Sequence, residues 1–133
     1  MHILKPNSMR IFYFLSLFIC ATLISCGSTN SEDNLLVIVK YKTQPNKNID
    51  AIVALKALVV QAEKEDHFVE LKIYVDPDDN SKILVQDEWE NAEYYKNEHM
   101  KTEHYQKFMT DSPNFLAGTP EISYWNLNSV YRK

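Results

Sequence analysis

The stretch QDEWENAEYYKNEHMKTEHYQKF, residues Gln86–Phe108, decides the architecture because its period changes partway along. Up to Trp89 it is the end of a strand, in which period-two alternation sets Asp87 and Trp89 on one face and Gln86 and Glu88 on the other. Asn91 is a helix-capping residue, and from there to Asp111 the pattern is helical, in two pieces that break near Lys101–Glu103. His99 and His104 stand five positions apart, about 140° around a continuous helix. They share a face only if the helix breaks between them.

Upstream, Lys82–Trp89 is the return strand of a hairpin whose outgoing strand is His67–Asp76, joined through the turn residues Pro77-Asp78-Asp79-Asn80. In the outgoing strand Val69, Leu71, Ile73 and Val75 alternate with Phe68, Glu70, Lys72 and Tyr74. Leu35–Lys42, LLVIVKYK, is a β-branched run with both faces apolar, as in a strand covered on both sides. A helix is predicted over Asn48–Lys64, with Ile49, Ile52, Val53, Leu55, Val59 and Val60 as its buried stripe. Downstream, Ser112–Thr119 is a loop and a last strand is predicted over Glu121–Tyr131. The order β-α-β-β-α-β implies an α+β, ferredoxin-like sandwich: a four-stranded antiparallel sheet with both helices on one face. The other face keeps apolar side chains that nothing in the chain covers, so a two-fold homodimer, sheet against sheet, of the dimeric α/β barrel type is expected.

The first residues carry a different signal. Lys5 and Arg10 precede the uncharged apolar run Ile11–Ile24, too short to span a bilayer and suited to a signal-peptide core. Leu23-Ile24-Ser25-Cys26-Gly27 resembles a bacterial lipobox, which implies cleavage before Cys26 and lipidation of its sulfur. The expected organisation is a signal peptide over 1–25, a lipidated Cys26 with a polar tether to residue 34, and one domain over 35–133. The expected location is the bacterial cell envelope, with glycine after Cys26 favouring the outer membrane. Cleavage takes two of the 14 basic residues and none of the 18 acidic ones, moving the net charge from −4 to −6. An acidic surface argues against a nucleic-acid partner and against membrane contact beyond the lipid anchor.

Cys20 leaves with the leader and Cys26 takes the lipid, so the domain has neither a thiol nor a disulfide. Gly27 and Gly118 are the only glycines, which excludes a Walker loop and a dinucleotide-binding GxGxxG turn. Any chemistry must therefore be acid–base work in an apolar pocket, on a substrate that brings its own reactivity. Asp87 beside Trp89 on a helix-covered face is costly unless paired or lining a pocket, and His99 on the following helix suits proton abstraction. Tyr41, Tyr74, Tyr95, His104 and Phe108 are candidate pocket walls or rim. His99 and Glu103 are i,i+4 neighbours, but two ligands do not make a metal site, and no metal is expected.

Taken together, LLVIVKYKTQP, YVDPDDNSKILVQDEW and EYYKNEHMKTEHYQKF resemble the antibiotic biosynthesis monooxygenase domains, small dimeric ferredoxin-like proteins that include quinol monooxygenases. The acid-x-Trp strand end matches Asp87-Glu88-Trp89, the helix histidine matches His99, and a second histidine-aromatic pair matches His104-Tyr105. Asp stands where the family more often has Glu, and His67 replaces the glycine usual at the start of the second strand. The resemblance implies oxygenation without metal or flavin: a deprotonated quinol or phenol passes an electron to O2 by itself. It assigns His99 as base or proton donor, Asp87 as its orienter and Trp89 as a wall. Relatives that bind and degrade haem imply a lesser haem option. An isomerase acting on a small carbonyl compound, and a binding module without turnover, are the competing expectations.

Overall fold

The structure is a computed structural model that describes residues 34–133. The expected signal peptide, Cys26 and nearly all of the tether lie outside the described residues. Its last residue, Asn34, is buried and donates from Nδ2 to Glu88 Oε1 at 2.7 Å.

Four strands, β1 (Leu35–Lys42), β2 (Phe68–Val75), β3 (Lys82–Trp89) and β4 (Glu121–Asn126), form one sheet in the order β2-β3-β1-β4, with every pairing antiparallel. Helix α1 (Asn48–Ala62) connects β1 to β2, and α2 (Ala92–Asn97) and α3 (Glu103–Asp111) lie between β3 and β4. This is the expected α+β ferredoxin-like fold, with the sheet open and not closed into a barrel. Among the described residues no helix is long and apolar enough to cross a membrane.

Register explains why the helices cover one face. Leu35, Val37 and Val39 of β1 and Ile83, Val85, Asp87 and Trp89 of β3 point to the same side, and all are buried. Ala51, Leu55, Leu58 and Ala62 of α1, Tyr95 of α2 and Phe108 of α3 complete that core. The opposite face carries Leu36, Ile38, Leu84, Tyr74 and Trp125 among charged residues, with Trp125 57 % exposed.

Three local expectations are corrected. The buried stripe of α1 is Ala51-Leu55-Leu58-Ala62, while Ile49, Val53 and Val60 are exposed. The helix is apolar on most of its circumference, so close approach to the sheet selected the face carrying two alanines. A bulge between Phe68 and Glu70 turns Phe68 to the core side, opposite Trp89, and leaves Val69 exposed. Finally, β4 stops at Asn126, where its pairing with Leu35 runs out, so residues 127–131 are not strand.

The helical break falls where expected, at Thr102, whose ψ of 151° is not helical, and a change from α to 3-10 geometry precedes it at Glu98. Asn91 caps α2, its Oδ1 accepting from the Glu93 and Tyr94 amides at 2.9 Å. After Asn97 the chain tightens into a 3-10 turn, His99–Lys101, and Thr102 restarts α3 by accepting the Tyr105 amide at 3.3 Å. The α1–β2 connection ends at His67, whose φ of 69° is the left-handed conformation that glycine adopts freely. His67 therefore holds a side chain in a conformation that strains any residue with a Cβ.

Candidate functional site

Three segments converge above the β2–β3 end of the sheet. Strand β3 supplies Asp87 and Trp89, the α2 to 3-10 segment supplies Tyr95 and His99, and the turn after α1 supplies Glu65. His99 is 3 % exposed, its ring 4.5 Å from that of Trp89 and 5.1 Å from those of Tyr95 and Tyr105. Its Nδ1 lies 2.8 Å from Glu65 Oε1. Because the helix breaks between them, His104 swings back towards His99 and sets its Nε2 2.5 Å from the same Glu65 oxygen. Glu65 Oε2 accepts from the Tyr94 hydroxyl at 3.3 Å.

Glu65 was not foreseen in the sequence, and it takes the orienting role expected of Asp87. It sits 34 and 39 residues from the histidines it joins, in the polar run Glu63–Asp66, and no local spacing marks it. Its position comes from the turn: the Glu65 amide bonds Ala62 O at 2.9 Å, closing the end of α1 under the 3-10 segment.

Asp87 is 6 % exposed and its Oδ1 has no hydrogen-bond partner; neither has Nε1 of Trp89. Burial pushes the Asp87 carboxyl up to about 7, the Trp89 indole works in the opposite direction, and the Glu65 carboxylate adds to the rise. Burial pushes His99 below its ordinary value, against the opposing effect of its hydrogen bond to the Glu65 carboxylate, and so favours the neutral imidazole. Burial likewise raises the phenols of Tyr41 and Tyr95, and each therefore stays protonated.

Asp87, His99, Tyr41, Tyr95 and Tyr105 line one enclosed cavity of about 30 Å³, with Met109, Pro120 and Ile122 on its outer side. That volume has room for about two water molecules. Trp89 does not line it; fully buried, the indole backs the His99 ring. Phe108 packs edge-on to Tyr41 at 6.1 Å and, with His104, borders a separate shallow groove between α1 and α3. Tyr74 is not brought to the cluster: it lies on the outer sheet face, 46 % exposed, beside Gln86. Haem does not fit this arrangement, because a ligand of that size needs a pocket of hundreds of Å³ and the His99 ring is enclosed by three aromatic rings.

The chain is thus a small antiparallel sheet covered by helices on one face, with a histidine and an acid at a shared cavity. The chain belongs to the antibiotic biosynthesis monooxygenase family, whose sequence model matches residues 34–111. Among solved structures, a conserved protein from Methanosarcina mazei Go1 is similar over 74 % of this chain and 96 % of its own, at 17 % identity and a TM-score of 0.68. PA3566 from Pseudomonas aeruginosa covers 73 % and 96 % at 18 % identity and a TM-score of 0.66. A protein described as an antibiotic biosynthesis monooxygenase covers 71 % and 99 % at 17 % identity and a TM-score of 0.64. At these identities the likeness is one of fold. No curated protein sequence matches the chain.

Proposed function

We propose that this protein is a monooxygenase of small quinol- or phenol-like substrates that uses neither metal nor flavin for turnover. The observation that carries the reading is the convergence of Asp87, raised to about 7, and a neutral, anchored His99 on one apolar cavity. A carboxyl of that pKa is half ionised at neutrality and takes a proton reversibly at working pH. His99 donating Nδ1–H to Glu65 leaves Nε2 as a proton acceptor, while Trp89, Tyr95 and Tyr105 fix the ring.

The chemistry balances without a further reductant. Asp87 accepts the hydroxyl proton of a quinol, and the resulting anion gives one electron to O2. Recombination forms a carbon–oxygen bond, and cleavage of the O–O bond with loss of water leaves a hydroxyquinone, so the quinol and O2 become hydroxyquinone and H2O. Asp87 and His99 manage the protons, and the apolar walls hold the anion and O2 together. A cavity of about 30 Å³ must widen to admit a ring, and Met109 and Ile122, 36 % and 39 % exposed, mark the side where it opens.

The same small volume favours a second reading, a non-catalytic relative whose cavity is filled by its own side chains or holds a small apolar molecule. Proton abstraction beside a carbonyl, as in an isomerase, would use the same two groups but consume no O2. An oxygen electrode separates these readings: the full chain in chelator should consume O2 with at least one member of a quinol panel, at one O2 per product. Uptake no faster than spontaneous autoxidation across the panel would sink the monooxygenase reading.

The uncovered outer face, with Trp125 and Tyr74 among Leu36, Ile38 and Leu84, supports a homodimer formed sheet to sheet. The lipobox-like Cys26 supports an envelope lipoprotein held to the membrane by its lipid alone.

A further inference from the structure

The cluster that anchors His99 has a composition the reaction above does not require. Glu65, His99 and His104 come from three separate elements, and Glu65 Oε1, His99 Nδ1 and His104 Nε2 all lie within 4.8 Å of one another. One carboxylate oxygen faces two imidazole nitrogens at 2.8 and 2.5 Å. Only a single carboxylate charge stands at the centre. Both imidazole nitrogens meet the same carboxylate oxygen, so the three ligand atoms already surround one point that a cation can occupy.

We propose that Glu65, His99 and His104 form a binding site for a transition-metal dication of the Zn2+ class. Two imidazoles and one carboxylate are a three-ligand set that suits Zn2+ and its neighbours and disfavours Mg2+ or Ca2+, which prefer all-oxygen shells. The Glu65 and His99 side chains are 8 % and 4 % exposed, whereas His104 is 24 % exposed and leaves a path from solvent for the ion and for a fourth, water ligand. The Tyr94 hydroxyl on Glu65 Oε2 orients the carboxylate from outside, as partners of metal-bound carboxylates do. Bonds of 2.0–2.1 Å at tetrahedral angles set ligand atoms about 3.3 Å apart, so the two contacts of Glu65 Oε1 lengthen by less than about 1 Å each as the ion enters. Glu65 ends a turn rather than a packed helix, and its side chain can make that adjustment.

Glu65 and His104 do not line the cavity, so the ion site is separate from the proposed substrate space and shares only His99 with it. The site goes beyond the monooxygenase reading and does not rest on it, because binding is read without turnover. Titration of the full chain with Zn2+ by calorimetry, and with Co2+ by its visible bands, should show one site of micromolar Kd or tighter that His67→Ala leaves intact. Glu65→Gln, which keeps the side-chain shape, and His104→Ala, at a partly exposed position, should each weaken that site at least tenfold. Circular dichroism confirms that each variant is folded, and subtraction between variants removes any contribution of Cys20 and Cys26. Zn2+ affinity unchanged in both folded variants, or no one-to-one binding to the parent chain, overturns the proposal.

Discussion

Replacing Asp87 with asparagine tests the buried carboxyl through stability alone. The carboxyl stands near 7 in the folded chain and near 3.8 when exposed, so it prefers to be protonated in the folded state. A raised carboxyl costs nothing well below 3.8; stability is then lost as pH climbs from about 4 to about 7 and stays lost above. A difference of about three units corresponds to on the order of 4 kcal/mol in full, of which roughly 2–3 kcal/mol falls between pH 5 and 8.5. His99 acts with the opposite sign, since a buried neutral imidazole costs stability as pH falls below about 6.5. That contribution is common to both proteins and cancels in the difference between them. Urea unfolding followed at several pH values should therefore show Asp87→Asn gaining on the parent by roughly 2–3 kcal/mol from pH 5 to 8.5. Parallel stability profiles would refute a carboxyl that is buried and unpaired, and with it the acid–base role.

Three shorter expectations accompany it. His67→Val should be about 1–2 kcal/mol less stable than His67→Gly by urea unfolding, because a β-branched side chain at φ 69° bears the left-handed strain that glycine avoids. The parent chain should size as a dimer, and Trp125→Glu on the outer face should raise the dimer Kd at least tenfold; a stable monomer of the parent at micromolar concentration would remove the sheet-to-sheet assembly. Cys26→Ser should move the protein from the membrane fraction to the soluble one on fractionation, whereas persistent membrane association would identify residues 11–24 as an uncleaved anchor.

What was legible in the chain follows from periodicity. Alternation in Lys82–Trp89 set Asp87 and Trp89 on the covered face, and Asn91 marked where strand gives way to helix, as found. The face of α1 was not legible, because Ile49, Val53 and Val60 are as apolar as the residues it buries and only packing distance separates them. Phe68 changed sides through a one-residue bulge, which alternation cannot anticipate. The convergence of His99 and His104 depended on where the helix broke. Glu65 was invisible for a stronger reason: its neighbours in sequence are solvated, and its role arises only when the end of α1 meets a turn more than 30 residues away. Local pattern thus found the groups that face the cavity and missed the group that holds one of them in place.

The pH dependence of oxygen uptake tests the central claim most directly. With a quinol substrate and chelator present, kcat/KM should rise with pH through an inflection near 7 as Asp87 ionises, and Asp87→Asn should lose that inflection along with about 100-fold or more of the rate. A folded Asp87→Asn protein that consumes oxygen at the parent rate with the same pH profile would contradict the assignment of this cavity as the place where substrate loses its proton.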